Sequence, residues 1–133
     1  MTRVDLTIRG GGIFGLSVAW EAALRGAGVR VVESAHIGAG ASGGLVGALT
    51  PHTPEGWNPV KALQLQSLLR AADWWAGVEA VSGLPSGYAR IGRLQPLADA
   101  AALTLAQTRA EGAAQLWQGQ AAWQVIPAMG ADW

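Results

Sequence analysis

Three glycines near the amino terminus have the spacing of a turn that binds phosphate. Gly10, Gly12 and Gly15 form a G-x-G-x-x-G pattern between a short apolar strand and a helical pattern. Gly10 permits a sharp turn, Gly12 lets the backbone approach a diphosphate because it has no Cβ, and Gly15 permits close helix packing. The amides from Ile13 onward lack helical partners and favour an anion. The pattern therefore predicts a dinucleotide site.

An acidic residue follows the second predicted strand. Glu33 comes directly after the apolar run Val29 to Val32, 18 residues beyond Gly15. A carboxylate at this position can accept hydrogen bonds from both ribose hydroxyls of an adenosine, and it repels a 2′-phosphate. The spacing therefore favours FAD or NAD over NADP.

Two observations keep other interpretations of this turn open. Glycine makes up 19 of the 133 residues, so a chance match that binds nothing is an alternative. Arg9 stands where an apolar strand residue is expected, and it either reaches toward a phosphate or weakens the site.

The predicted elements form a βαβ unit followed by two longer helices. The first helix runs from Ile13 to about Arg25 and is expected to face the sheet with the stripe Ile13, Leu16, Trp20 and Leu24. The segment from Ser34 to Gly56 is predicted to be a loop. Asn58 and Pro59 are expected to cap a second helix that ends near Val81, with an apolar face of Leu63, Leu65, Leu68, Leu69, Ala72, Trp75 and Val78.

Weaker patterns follow the second helix. Tyr88 to Leu97 is predicted to be a strand or a hairpin arm. Asp99 is expected to cap a third helix from Ala100 to about Trp117, and a short strand is predicted from Trp123 to Ile126. Trp74 and Trp75 are interpreted as core or interface residues.

The composition indicates a globular protein and excludes several classes of site. Nine basic and nine acidic residues give no net charge, so nucleic acid is not expected as a partner. The chain has no cysteine, and His36 and His52 are too few for a metal cluster. Without a signal-peptide pattern or an apolar run long enough to span a membrane, a cytoplasmic protein is expected.

The opening VDLTIRGGGIFGLSVAWEAALRGAGVRVVE and the loop IGAGASGGLVGALTPHTP resemble the FAD-dependent oxidoreductases of the D-amino-acid oxidase superfamily, which includes glycine oxidase, sarcosine oxidase and D-amino-acid dehydrogenases. The resemblance implies that FAD is the cofactor, that Ser42 and Gly43 lie near its diphosphate, and that Gly47 to Leu49 pass close to the flavin ring. The residues expected to contact FAD are Gly10, Gly11, Gly12, Ile13, Phe14, Gly15, Glu33, Ser34, Ala41, Ser42, Gly43, Gly47, Ala48 and Leu49.

The resemblance also draws attention to further candidate site residues, none of which is expected to be catalytic. His52 is expected either to tune the flavin, or to attach to it covalently, or to be a loop histidine hydrogen-bonded to backbone. His36 is expected either to face solvent or to be a local cap. Arg90 and Arg93 either bind a substrate carboxylate or belong to a solvated strand face. No residue of this chain is assigned a catalytic role, and no metal is expected.

The fold class predicted is α/β: an incomplete Rossmann-like FAD-binding βαβ unit with the start of an α+β substrate domain. Residues 1–83 are assigned to the FAD-binding portion and 84–133 to the substrate domain. Members of the family resembled are longer, so the chain is expected to be an amino-terminal part, inactive alone, that partners with the rest of the enzyme or with copies of itself.

The activity implied is oxidation of a small amine or amino acid by hydride transfer to flavin N5. An NAD-dependent dehydrogenase and a dinucleotide-binding module without redox chemistry are the alternatives.

Overall fold

The computed structural model describes residues 3–45, 47–117 and 123–127. The elements of this part are, in chain order, β1 (Leu6–Arg9), α1 (Ile13–Leu24), β2 (Val29–Val32), a single 3₁₀ turn (Ala41–Gly43), α2 (Pro59–Ser82) and α3 (Ala100–Trp117). They divide into two compact units, Met1–Ala48 and Leu49–Trp133. The α/β class predicted from the sequence is confirmed.

The first unit is a βαβ motif. β1 and β2 are parallel neighbours, with Leu6 opposite Val29 and Arg9 opposite Val32. Parallel neighbours need a crossover connection, and α1 supplies it. Ile8 and Val31 are opposite each other and half-buried on one face of the sheet. Both strands and α1 lie where the sequence places them.

The apolar stripe of α1 is less buried than predicted. Leu16 and Trp20 are half-buried, but Ile13 is 42% exposed and Leu24 is 62% exposed. A sheet of two short strands covers only the middle of a helix of this length. The prediction that all four residues pack on the sheet is therefore wrong for the two ends of the stripe.

The second unit begins with a well-capped helix. The Asn58 side chain accepts hydrogen bonds from the amides of Val60 and Lys61, at 3.0 and 3.1 Å, and Pro59 is the first helical residue. The helix ends at Gly83, whose positive φ of 68° suits a residue without a Cβ. The predicted boundaries of α2 are thus confirmed.

The core of the second unit lies between α2 and α3. Its buried members are Leu65, Ala113 and Trp117, and Trp57, Leu69, Leu116 and Trp123 pack around them. Asp99 begins α3 as predicted, because its Oδ1 accepts a hydrogen bond of 2.8 Å from the amide of Ala102. The apolar face of α2 is buried only in part: Leu65 is buried, whereas Leu63 is 64% exposed and Ala72 is exposed.

The two strands predicted after α2 are wrong. Residues 84–98 and 123–127 have no regular secondary structure. Gly87 and Gly92 adopt φ of 76° and 79°, which break an extended conformation on either side of Ile91. No third strand occurs within the described ranges to pair with this segment. None of the helices in those ranges is both long and apolar enough to cross a membrane.

Candidate dinucleotide-binding site

The glycine turn joins β1 to α1 with little space between them. Gly10 has a φ of 113°, and its amide donates to the carbonyl oxygen of Val32 at 2.8 Å, which continues the strand ladder. A Cβ on Gly15 would overlap the carbonyl oxygen of Gly10 and lie 3.2 Å from Ile8 Cγ2. The turn therefore needs glycine at position 10 for its backbone conformation and at position 15 for close packing of the helix on the strand.

The amino terminus of α1 presents backbone donors. The first helical hydrogen bond runs from the amide of Leu16 to the carbonyl oxygen of Gly12, at 3.0 Å. The amides of Gly12, Phe14 and Gly15 have no hydrogen-bond partner among the residues that the structure describes. Unpaired amides at the positive end of a helix dipole favour an anion.

A loop folds back onto this turn and brings Ser42 to it. Ser42 Oγ accepts a hydrogen bond of 2.8 Å from the amide of Ile13, although the two residues are 29 positions apart. The amide of Gly38 donates to the carbonyl oxygen of Gly11 at 2.9 Å. A Cβ on Gly12 would lie 3.1 Å from Ser42 Oγ, so that side of the turn is narrow.

Glu33 is fixed by hydrogen bonds within the protein. Its Oε2 accepts from the amide of Gly11 at 2.7 Å, and its Oε1 accepts from the amides of Ser34 and Ala35 at 2.8 and 3.1 Å and from Ser34 Oγ at 3.2 Å. These bonds, that from Gly11 first, lower the pKa of Glu33 from its ordinary 4.5 to about 2. The carboxylate is ionised at neutral pH.

The bonds to Glu33 restrict how it could hold a sugar. A carboxylate offers about four acceptor positions in all, two on each oxygen. Oε1 already receives three donors, whereas Oε2 receives one, so Oε2 retains an acceptor position. The sequence pattern predicted the carboxylate as a sugar ligand, but it did not reveal that the same group holds the glycine turn.

A cleft opens beside Glu33 at the carboxyl ends of the two strands. Its volume is about 230 Å³, and its lining residues are Arg9, Gly10, Val32, Glu33 and Ser34. Ligands of open α/β sheets bind outside the carboxyl ends of the strands. The cleft and the unpaired amides of α1 therefore occupy the edge of the sheet where a dinucleotide is expected.

The family model described as FAD-dependent oxidoreductase (DAO) matches residues 5–132. The chain belongs to this family of FAD-dependent oxidoreductases. Its cofactor is FAD, as the resemblance implied, and the NAD-dependent alternative is set aside.

Two curated relatives carry the name bifunctional protein ThiO/ThiG. The protein of Synechocystis sp. is 35% identical over 101 residues, which is 74% of this chain, and that of Nostoc sp. is 36% identical over 98 residues, or 73% of this chain. The chain spans about 15% of the length of each relative it matches. No solved structure matches significantly.

The donor set of the turn fits the diphosphate of FAD. Three unpaired amides, those of Gly12, Phe14 and Gly15, can donate to phosphate oxygens. Ser42 Oγ uses an acceptor position for Ile13, and its hydroxyl hydrogen can still donate. These donors are neutral and no carboxylate lies among them, so they suit the doubly charged diphosphate. Glu33 follows the neighbouring strand β2, at a position where its carboxylate can accept a sugar hydroxyl.

The remaining site predictions stay predictions. Gly47 and Ala48 are exposed and have no regular secondary structure, and Leu49 begins the second unit. In that unit the amide of His52 donates to Gln64 Oε1 at 3.1 Å, which ties the backbone of the loop at His52 to α2. Arg90 and Arg93 are exposed and do not lie on a strand.

Proposed function

We propose that the protein containing this chain oxidises a small amine or amino acid with FAD as its cofactor, and that residues 1–83 provide part of the FAD-binding domain and 84–133 the start of the substrate domain. Three unpaired amides beside an ionised Glu33, at the carboxyl ends of two parallel strands, support the proposal most strongly. Membership of the family supports the redox chemistry.

The residues of the turn would hold the diphosphate. The amides of Gly12, Phe14 and Gly15 would donate to its oxygens, and the Ser42 hydroxyl would add a fourth donor while its oxygen remains bonded to Ile13. Backbone amides fixed by a helix need little rearrangement to receive an anion, so they favour binding without a large ordering cost.

Glu33 would hold the adenosine sugar. Its remaining Oε2 acceptor position would take one ribose hydroxyl, while the bond from Gly11 keeps the carboxylate in place. The negative charge also disfavours a 2′-phosphate.

FAD supplies the redox chemistry when bound, because its ring accepts a hydride from the carbon that bears the substrate nitrogen. The contribution of this chain would be to orient the cofactor. Gly47, Ala48 and Leu49 would pass close to the ring and set its position relative to the substrate.

The binding part of the proposal is tested by Gly12→Val in the full-length protein. A branched side chain would fill the space beside Ser42 Oγ, where a Cβ alone would lie 3.1 Å away. We expect the purified wild-type protein to show flavin absorption and the variant to lose it. Gly77→Ala is the control, because Gly77 lies within α2 outside the turn and a Cβ there meets nothing within 4 Å. Full flavin retention by Gly12→Val would contradict the placement of the diphosphate.

The substrate part is tested separately. Glycine, sarcosine and D-alanine are added without oxygen to the flavin-loaded protein, and bleaching of the flavin absorption is followed. We expect at least one to reduce the flavin. A protein that binds FAD but is reduced by no amine or amino acid would refute the substrate class and leave the cofactor site standing.

A further inference from the structure

Arg9 lies on the sheet face opposite α1. Side chains alternate between the two faces of a strand, and Ile8 faces α1 because its Cγ2 lies 3.2 Å from the Cβ position of Gly15. Arg9 therefore points to the other face. Its partner on β2 is Val32, and Arg30 is opposite Thr7, so these residues share that face.

The guanidinium of Arg9 has no partner within the part of the chain that the structure describes. Arg9 is exposed and forms no hydrogen bond or ion pair there. It lines the same cleft as Glu33 but does not pair with it. Val32, which is 46% exposed, adds an apolar surface to that cleft.

This arrangement suits a flat aromatic ring better than a phosphate. The amides of α1 that can bind an anion lie on the helix side of the sheet, whereas the Arg9 side chain extends from the opposite face. A guanidinium is planar and stacks on aromatic faces, and a branched apolar side chain can pack against the same ring. Glu33 fixes where the sugar would lie, so the ring attached to that sugar would reach the surface made by Arg9 and Val32.

We propose that Arg9 stacks on the adenine ring of FAD, with Val32 packed against the same base. This inference rests on the proposed function, because it needs FAD bound at the glycine turn. Arg9 is thereby assigned to the base and not to the diphosphate, and the residue that departs from an apolar strand pattern gains a binding role.

The test uses the full-length protein after removal of its flavin. Affinities for FAD, for ADP and for inorganic pyrophosphate are measured in the wild-type protein, Arg9→Met and Arg9→Lys. Arg30→Met is the matched control, because Arg30 is an exposed arginine of the same face that does not line the cleft. Thermal unfolding of each flavin-free variant shows whether it is folded.

Arg9→Met is expected to weaken FAD and ADP about tenfold and to change pyrophosphate binding by less than about twofold, since a stacked cation contributes on this scale. Arg9→Lys should also lose affinity for ADP, because it keeps the charge without the planar group. Arg30→Met should bind all three ligands like the wild-type protein.

Three results would overturn the inference. Equal weakening of ADP and pyrophosphate by Arg9→Met would place the guanidinium on phosphate. Unchanged ADP binding by Arg9→Met, or full ADP binding by Arg9→Lys, would remove the stacking role. A wild-type protein that binds no FAD would instead refute the proposed function itself, which the FAD titration shows before any variant is compared.

Discussion

Gly15 lies in the first turn of α1, where a Cβ would overlap the carbonyl oxygen of Gly10. We expect Gly15→Ala to lower the free energy of unfolding by about 2 kcal/mol or more, because neither backbone can move without separating helix and sheet. Gly77→Ala is the matched control within α2, where a Cβ meets nothing within 4 Å. It should raise that free energy by about 0.5–1 kcal/mol. Urea unfolding measures both, and effects of the same sign would contradict the account.

Glu33 links the stability of the first unit to pH. Its pKa is lowered from 4.5 to about 2 by the bonds from Gly11, Ala35 and Ser34, so the folded state binds its proton less readily than the unfolded state. The stability it contributes is therefore complete above pH 4.5 and is lost as the pH falls toward 2. Glu33→Gln cannot titrate, so the difference in unfolding free energy between the flavin-free wild-type protein and this variant should shrink over that range.

Thermal or urea unfolding of both proteins across the acid range measures this difference. Glu55 and Glu79 also have lowered pKa values, but both proteins contain them, and the comparison removes their effect. A difference in unfolding free energy that stays constant from neutral pH down to about pH 2 would show that Glu33 is not held by these bonds.

At the scale of the element, the cap of α2 makes a local contribution to the free energy of unfolding, and a single substitution can remove it. Asn58→Ala removes the acceptor for the amides of Val60 and Lys61 and should lower the free energy of unfolding by about 1 kcal/mol. Asn58→Asp keeps an acceptor oxygen and should unfold close to the wild-type protein. Denaturant unfolding followed by tryptophan fluorescence gives both values, and equal stability of all three proteins would rule out the cap.

Elements were predictable where their signals are local. Such signals are Asn58 and Pro59 at the start of α2, Asp99 at the start of α3, and the glycine turn between two apolar strands. Each involves only neighbouring residues, and the structure confirms each of these elements. The strand predicted from Tyr88 to Leu97 failed because strand formation needs a distant partner, and alternation alone does not reveal one. The positive φ of Gly87 and Gly92 also could not be distinguished from ordinary strand glycine.

The candidate site was predictable in its residue types but not in its contacts. The spacing pointed to the glycine turn and to Glu33, and the resemblance pointed to Ser42. The bond between Ser42 and the amide of Ile13 spans 29 residues, and the bond between Glu33 and Gly11 spans 22. Such contacts depend on how a loop folds back, which no local pattern encodes.

At the scale of the whole molecule, protection from solvent should be concentrated in one region of the second unit. Leu65, Ala113 and Trp117 are buried there, whereas residues 89–98 are all exposed and lack regular structure. In native-state hydrogen exchange of this chain, amides near Leu65 and Ala113 should exchange much more slowly than those of 89–98. Strand-like protection of 89–98 would contradict the fold described for this segment.

In the proposed function, the diphosphate of FAD binds at the amino terminus of α1 with the adenosine sugar at Glu33. A crystal structure of the full-length protein with FAD tests it most directly. We predict phosphate oxygens within hydrogen-bond distance of the amides of Gly12, Phe14 and Gly15, and a ribose hydroxyl on Glu33 Oε2. A diphosphate bound elsewhere, or a Glu33 carboxylate that contacts only protein while FAD is present, would contradict the account.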